Sequence, residues 1–254
     1  FRDDTGGGIP PMGLNPCGDP FGGGCGGGGS GDGGYEYPEP PQESPCEKIK
    51  TQNNNTEFKG KIDALNKQSI LNQKKETGFS ENKNGNFTPL PASSTNSSDA
   101  LTITITPSTK GYIHTHQNDY ETGNTDDNGN PEIRQPIRMF SPADVNTLMT
   151  IASFIDDGNY EDIYGAMISS YGNYTIKFTG TASDIQMGFN TKKWRDDYKT
   201  FIDEEKGTLE SKFLRFLKEK MNVQGIELYK IKSNGTIQKK TLNANNQVQS
   251  NDCP

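Results

Sequence analysis

The only two histidines of the chain, His114 and His116, stand one residue apart in the stretch "GYIHTHQNDYE". If this stretch is a β-strand, residues two apart share a face, so both imidazoles point one way and Thr115 the other. Two imidazoles side by side at a strand end are half of a zinc site. A catalytic zinc takes three protein ligands and keeps a fourth position for water, so a further ligand must come from another element. Asp144 is the best candidate. It stands in "SPAD", in the first turn of a predicted helix, from which a carboxylate can reach back to the strand end. Each piece also has an ordinary reading. Histidines on a strand can be a polar face, and Ser141 with Asp144 three residues on is a normal helix cap.

The elements that must position these residues follow from patterning. Residues 46–68 place Ile49, Phe58, Ile62 and Leu65 at roughly helical spacing with a break at Asn53 to Asn55, which predicts one or two short helices. A strand runs through Phe79, and Asn84-Gly85 marks a hairpin turn. "ALTITIT" alternates and predicts a strand, as does "KGYIHTH". Residues 117–138 form a polar loop without a core-forming pattern. The next segment is a helix with Ser141 as N-cap, Pro142 at its first position, an apolar face of Val145, Leu148, Met149, Ala152 and Ile155, and Gly158 as its stop. Two strands around "YGN", a helical stretch from Trp194 to Met221 with a break at Gly207, and a hairpin turning at Asn234-Gly235 complete the chain. This order predicts an α/β or α+β domain, a mixed sheet flanked by helices.

A strand HxH followed by SxxD at a helix start resembles the Jab/MPN, or JAMM, zinc metallopeptidase family, whose signature adds a glutamate on an early strand. "ETGF" supplies Glu76 ahead of the strands that lead to the histidines. The resemblance, which covers residues 76–158, implies an MPN-like fold and a zinc cofactor held by His114, His116 and Asp144. It also implies that Glu76 is the general base and that Ser141 polarises the substrate carbonyl or holds the oxyanion. Glu81, the rival for Glu76, falls in the hairpin region, where a solvated carboxylate is the default. The chain departs from the family in having Gln117 after the second histidine, where a proline is common, and in the long segment before Ser141.

Composition bounds the rest. Residues 1–45 are mostly Gly, Pro and small polar residues and read as a tether, leaving residues 46–254 as one folded domain. A net charge of −7 disfavours a grip on nucleic acid, and Lys239-Lys240 and Lys218 to Lys220 read as solvated faces. No apolar run is long enough to span a bilayer. "DDNGN" lacks the ligand alternation of an EF-hand and reads as a solvated turn; Thr115, Ser169 and Ser170 lack a base to activate them. None of Cys17, Cys25, Cys46 and Cys253 has metal-site spacing, and Cys46 with Cys253 would clasp both ends of the domain, Cys17 with Cys25 the glycine loop. Such bridges imply an oxidising compartment, extracellular or in the cell envelope. The expectation is a zinc-dependent hydrolase of peptide or isopeptide bonds, its partners a peptide or protein substrate and other envelope or secretion proteins, at the end of a larger secreted or surface protein. Two alternatives stand beside it: a non-catalytic MPN-like binding module of an envelope complex, and an adhesive domain without metal.

Overall fold

A computed structural model describes residues 43–92, 100–188 and 190–254, all within one compact unit. Residues 1–42 of the predicted tether, and with them the Cys17–Cys25 pairing, therefore lie outside the described residues.

The fold is α+β, built on a mixed eight-stranded sheet. Helix α1 (Pro45–Asn54) opens with a capping box from Ser44 and Glu47, and Asn55 both ends it and caps α2 (Thr56–Leu65), its side chain accepting from the backbone of Glu57 and Phe58. This is the predicted break, and its cause is an Asx cap. After α3 (Gln68–Leu71) come β1 (Gly78–Asn82) and β2 (Phe87–Pro89), a hairpin whose turn holds Gly85 at φ +82°, then β3 (Thr109–Thr115). A separate two-stranded sheet, β4 (Tyr120–Thr125) and β5 (Pro131–Arg134), precedes α4 (Pro142–Ala152). Strands β6 (Tyr164–Ser169) and β7 (Gly172–Phe178), helices α5 (Thr191–Glu204) and α6 (Leu209–Phe216), and strands β8 (Ile226–Ile231), β9 (Ile237–Leu242) and β10 (Val248–Asp252) follow. The strand order is β10-β9-β8-β7-β6-β3-β1-β2, and every neighbouring pair is antiparallel except β3 with β6.

Several local expectations need correction. "ALTITIT" is extended and alternates in burial, with Ile103 and Ile105 against the core, but apart from one bridge, Leu101 to Ala92, it joins no ladder. Packing supplies its alternation without a partner strand. The polar loop at residues 117–138 contains the β4–β5 hairpin, whose turn is tied by the Asp126 side chain accepting from the backbone of Asn128 and Asn130. Gly158 is not the stop of α4: the helix ends at Ala152, and Ile155 lies beyond it. Lys240 is buried and donates to Gln238 and Ser250, so only Lys218 to Lys220 is a solvated face.

The sheet is apolar on both faces. One face packs on α4, α5 and α6 through Tyr112, Met149, Met167, Tyr174 and Phe216. The other packs on α2 and α3 through Phe58, Leu65, Ile113, Tyr164 and Ile168. A smaller cluster of Ile49, Tyr229 and Ile237 lies against the Cys46–Cys253 disulfide, which joins the start of α1 to the residue after β10.

That bridge closes a loop of 207 residues. The Cys46→Ser, Cys253→Ser double variant is expected to keep its fold but lose about 5 kcal/mol of stability, the chain-entropy value for so long a loop. Urea unfolding of the oxidised chain against the variant measures it; equal midpoints would contradict the expectation.

Candidate metal centre

Strands β3 and β6 are parallel, so the chain must return along the sheet between them, and α4 makes that return. A crossover helix starts at the end where the first strand finishes, which brings the first turn of α4 to the histidines. Strand β1 runs antiparallel to β3, so its beginning reaches the same end. Glu76 lies two residues ahead of β1, and its neighbour Thr77 is held there: its carbonyl accepts from the Thr115 backbone at 2.9 Å, and its N–H donates to the Thr115 hydroxyl at 3.0 Å. Gly78, opposite His114, has no room for a side chain, since a Cβ would fall 2.5 Å from the Ile113 carbonyl oxygen.

Four predicted residues thus meet. His114 Nε2 is 2.9 Å from His116 Nε2 and 3.2 Å from Asp144 Oδ1. His116 Nε2 is 3.9 Å from both Asp144 Oδ2 and Glu76 Oε1. One ligand atom from each of His114, His116 and Asp144 lies within 4.8 Å of the others, a group able to hold a metal ion. Ser141, the fifth predicted residue, completes a capping box: its N–H and hydroxyl both donate to Asp144 Oδ2, at 2.6 and 2.8 Å. The capping role of "SPAD" does not compete with a place in this group, because the Asp144 side chain caps the helix through Oδ2 while Oδ1 faces His114.

The tautomers favour a cation. Nδ1 of His114 donates to the Ala166 carbonyl at 3.1 Å, and Nδ1 of His116 to that of Ile137 at 2.5 Å. A carbonyl only accepts, so each Nδ1 carries the hydrogen and each neutral ring turns its Nε2 lone pair inward. Two lone pairs 2.9 Å apart beside a carboxylate repel one another unless a proton or a metal ion lies among them. Without metal the proton takes that place. Burial works against a charge on His114, but the Asp144 carboxylate outweighs it and pushes the imidazole up to about 9. Burial likewise opposes ionisation of Asp144, yet His114 and His116 hold it far below the usual carboxylate range.

Other residues behave differently from expectation. Glu81 is not a solvated carboxylate: it is buried, paired with Lys110 at 2.9 Å and accepting from Tyr164 at 2.5 Å. Lys110 holds it in that pair, away from the histidines. Thr115 and Ser169 bond backbone carbonyls, those of Thr77 and Gly172. Tyr112, not singled out from the sequence, shares the histidines' face by alternation, and its hydroxyl donates to the Asp144 carbonyl at 2.8 Å. The two carbonyls that set the tautomers belong to Ala166 and Ile137, positions with no side-chain signal to find.

The charged His114–Asp144 pair stabilises the metal-free fold fully between about pH 4 and about pH 6.5, the ordinary aspartate and histidine values, and that contribution is lost as pH rises through about 9. Metal-free protein is therefore expected to melt at lower temperature at pH 9.5 than at pH 6.5, with saturating divalent metal reducing the drop. Thermal unfolding with chelator or metal at the two pH values checks it. A drop of the same size in a His114→Ala variant would assign it to other groups.

No family model, curated protein or solved structure matches this chain, so the meaning of the site rests on its own geometry.

Proposed function

We propose that the chain is a zinc-dependent hydrolase of amide bonds, of the JAMM type, acting on a peptide or isopeptide. The observation that carries this reading is the convergence of two Nε2 atoms, oriented by backbone carbonyls, on the Asp144 carboxylate, with Glu76 3.9 Å from His116 and 9% exposed. Two imidazoles and one carboxylate suit zinc, and three protein ligands are the complement of a catalytic site. Zinc held there supplies Lewis acidity toward a carbonyl oxygen and lowers the pKa of a water molecule.

The protein's own groups do the rest. Glu76 takes the proton of the water that attacks the carbonyl carbon, and delivers it to the amine nitrogen as the carbon–nitrogen bond breaks. Asp144 and the two histidines keep their ligand atoms fixed through the α4 cap and the Ala166 and Ile137 carbonyls. Ser141, at the N-terminus of α4, turns its hydroxyl from Asp144 to the oxygen that gains negative charge, where the helix dipole also favours an anion. The β4–β5 hairpin leaves the sheet between His116 and Ile137, at the edge of the site, and suits a role in guiding an extended substrate.

The disulfide fits an oxidising compartment, which supports a place outside the cytoplasm, among secreted or cell-envelope proteins. No helix of the described residues is long and apolar enough to cross a membrane. The projecting hairpin, with Ile133 48% exposed, favours a second reading, a zinc-containing module that binds a partner without turnover.

Metal analysis of protein purified without chelator is expected to find about one zinc per chain, lost in the His114→Ala, His116→Ala double variant. Glu76→Gln is expected to retain the zinc and lose turnover by about 100-fold or more on a peptide or isopeptide substrate. No metal in the parent chain after zinc is added back would reject the site, and zinc without turnover would leave the binding module.

A further inference from the structure

Lys177, in β7, is 3% exposed. Its neighbours Ile176 and Phe178 join the cluster that packs on α4, so by alternation the lysine lies on the other face of the sheet, away from the histidines. There it lines a cavity of about 160 Å³ between α1 and the sheet, together with Lys48, Lys110, Glu81, Glu161 and Asp162. Pockets for drug-sized ligands begin at about 300 Å³, so this one suits a compound of a few carbons.

The three lysines of the cavity are held differently. Lys110 has Glu81 at 2.9 Å, and Lys48 has Asp162 at 3.2 Å, Glu161 at 3.3 Å and Glu43 at 3.6 Å. Lys177 makes no ion pair among the described residues: its nitrogen donates to the Glu161 backbone carbonyl, while the Glu161 and Asp162 carboxylates turn to Lys48. Burial opposes a charge on Lys177 more than Asp162 favours one, and Lys110 and Lys48 oppose it too, which brings the ammonium down to about 8. A desolvated lysine beside other cations is the arrangement that makes an amine nucleophilic. The lining holds these three lysines and the four carboxylates of Glu43, Glu81, Glu161 and Asp162, a balance that disfavours an anion and suits a neutral electrophile.

We propose that the cavity between α1 and the sheet is a second ligand site, in which the Lys177 amine condenses with a small aldehyde or ketone to form an imine. The neutral nitrogen keeps one N–H on the Glu161 carbonyl and attacks the carbonyl carbon of the ligand. A carbon–nitrogen bond forms, the carbon–oxygen π bond breaks, and the oxygen takes one proton from the nitrogen. Loss of the resulting hydroxyl with the second proton releases water and leaves the carbon–nitrogen double bond, with no oxidant or reductant consumed. Glu161 and Asp162 stand in the lining to relay those protons, and Thr51 and Gln52, from α1, offer hydrogen bonds to the ligand oxygen.

The test uses the full chain at pH 7, treated with limiting propionaldehyde and cyanoborohydride, which reduces the imine to a stable propyl-lysine that peptide mass spectrometry locates. At that pH an amine titrating near 8 is neutral roughly 200 times as often as an ordinary lysine, an advantage that entry to the cavity reduces. Lys177 is expected to be labelled at least 10-fold faster than Lys59 and Lys193, whose side chains are each 62% exposed, and to lose that preference in urea. Labelling of Lys177 no faster than these two would overturn the proposal and leave the lysine a structural donor to the Glu161 carbonyl. A preference that persists in urea would overturn it as well, since the cavity would not be its source.

Discussion

The parallel pairing of β3 with β6 is the constraint on which the rest of the structure depends. In a sheet otherwise made of antiparallel neighbours it obliges the chain to cross over, and α4 is the crossover. From that requirement the first turn of α4 arrives at the end of β3, where the histidines are. The same pairing provides the acceptors that orient them: the Ala166 carbonyl for the His114 ring, and the Ile168 carbonyl for the His116 backbone N–H at 2.9 Å. Close packing across this pair leaves little freedom. Tyr112 stands opposite Gly165 and Tyr164 opposite Gly111, and a Cβ at either glycine would lie within 2.6 Å of the tyrosine facing it.

The two sheet faces bury charge in different ways. On the α4 face, two imidazoles and a carboxylate meet in an apolar cluster with Phe140 beside His114, an arrangement that is costly without a cation or proton. On the α2 face, charge is neutralised locally. Glu81 is balanced by Lys110 and Tyr164, and Lys48 by Glu161 and Asp162. Lys177, also buried there, donates to the Glu161 carbonyl, and burial brings it down to about 8. One face therefore has its charges paired off within the protein, and the other keeps a concentration of ligand atoms that a bound ion would balance.

A chain with only 29% hydrophobic residues must spread that apolar content over two faces of an eight-stranded sheet. Aromatic side chains carry much of the burden, as in the contacts of Phe216 with Trp194, Tyr198 and Phe201. The disulfide adds a constraint at the far end of the sheet, where the cluster of Ile49, Tyr229 and Ile237 is small. Capping supplies further order without apolar surface: Ser44, Asn55, Ser141, Asn190 and Thr208 all cap helices with their side chains.

The sequence by itself determined the local pieces. Alternation put His114, His116 and Tyr112 on one strand face, the cap chemistry of "SPAD" started α4 at Pro142, and Asn-Gly pairs set two hairpin turns, because each depends on residues within a few positions of one another. The clasp between Cys46 and Cys253 was legible from their places at the two ends of the domain. Tertiary structure decided what depends on distant partners. It left "ALTITIT" without a ladder, formed a hairpin in a polar segment, and buried Glu81 and Lys240, whose types suggest solvent. It also chose which nitrogens carry hydrogen at the candidate metal centre, since Ala166 and Ile137 act through backbone carbonyls that every residue possesses. Their position follows from the packing of strands and helices far apart in the chain, which no spacing within the sequence encodes.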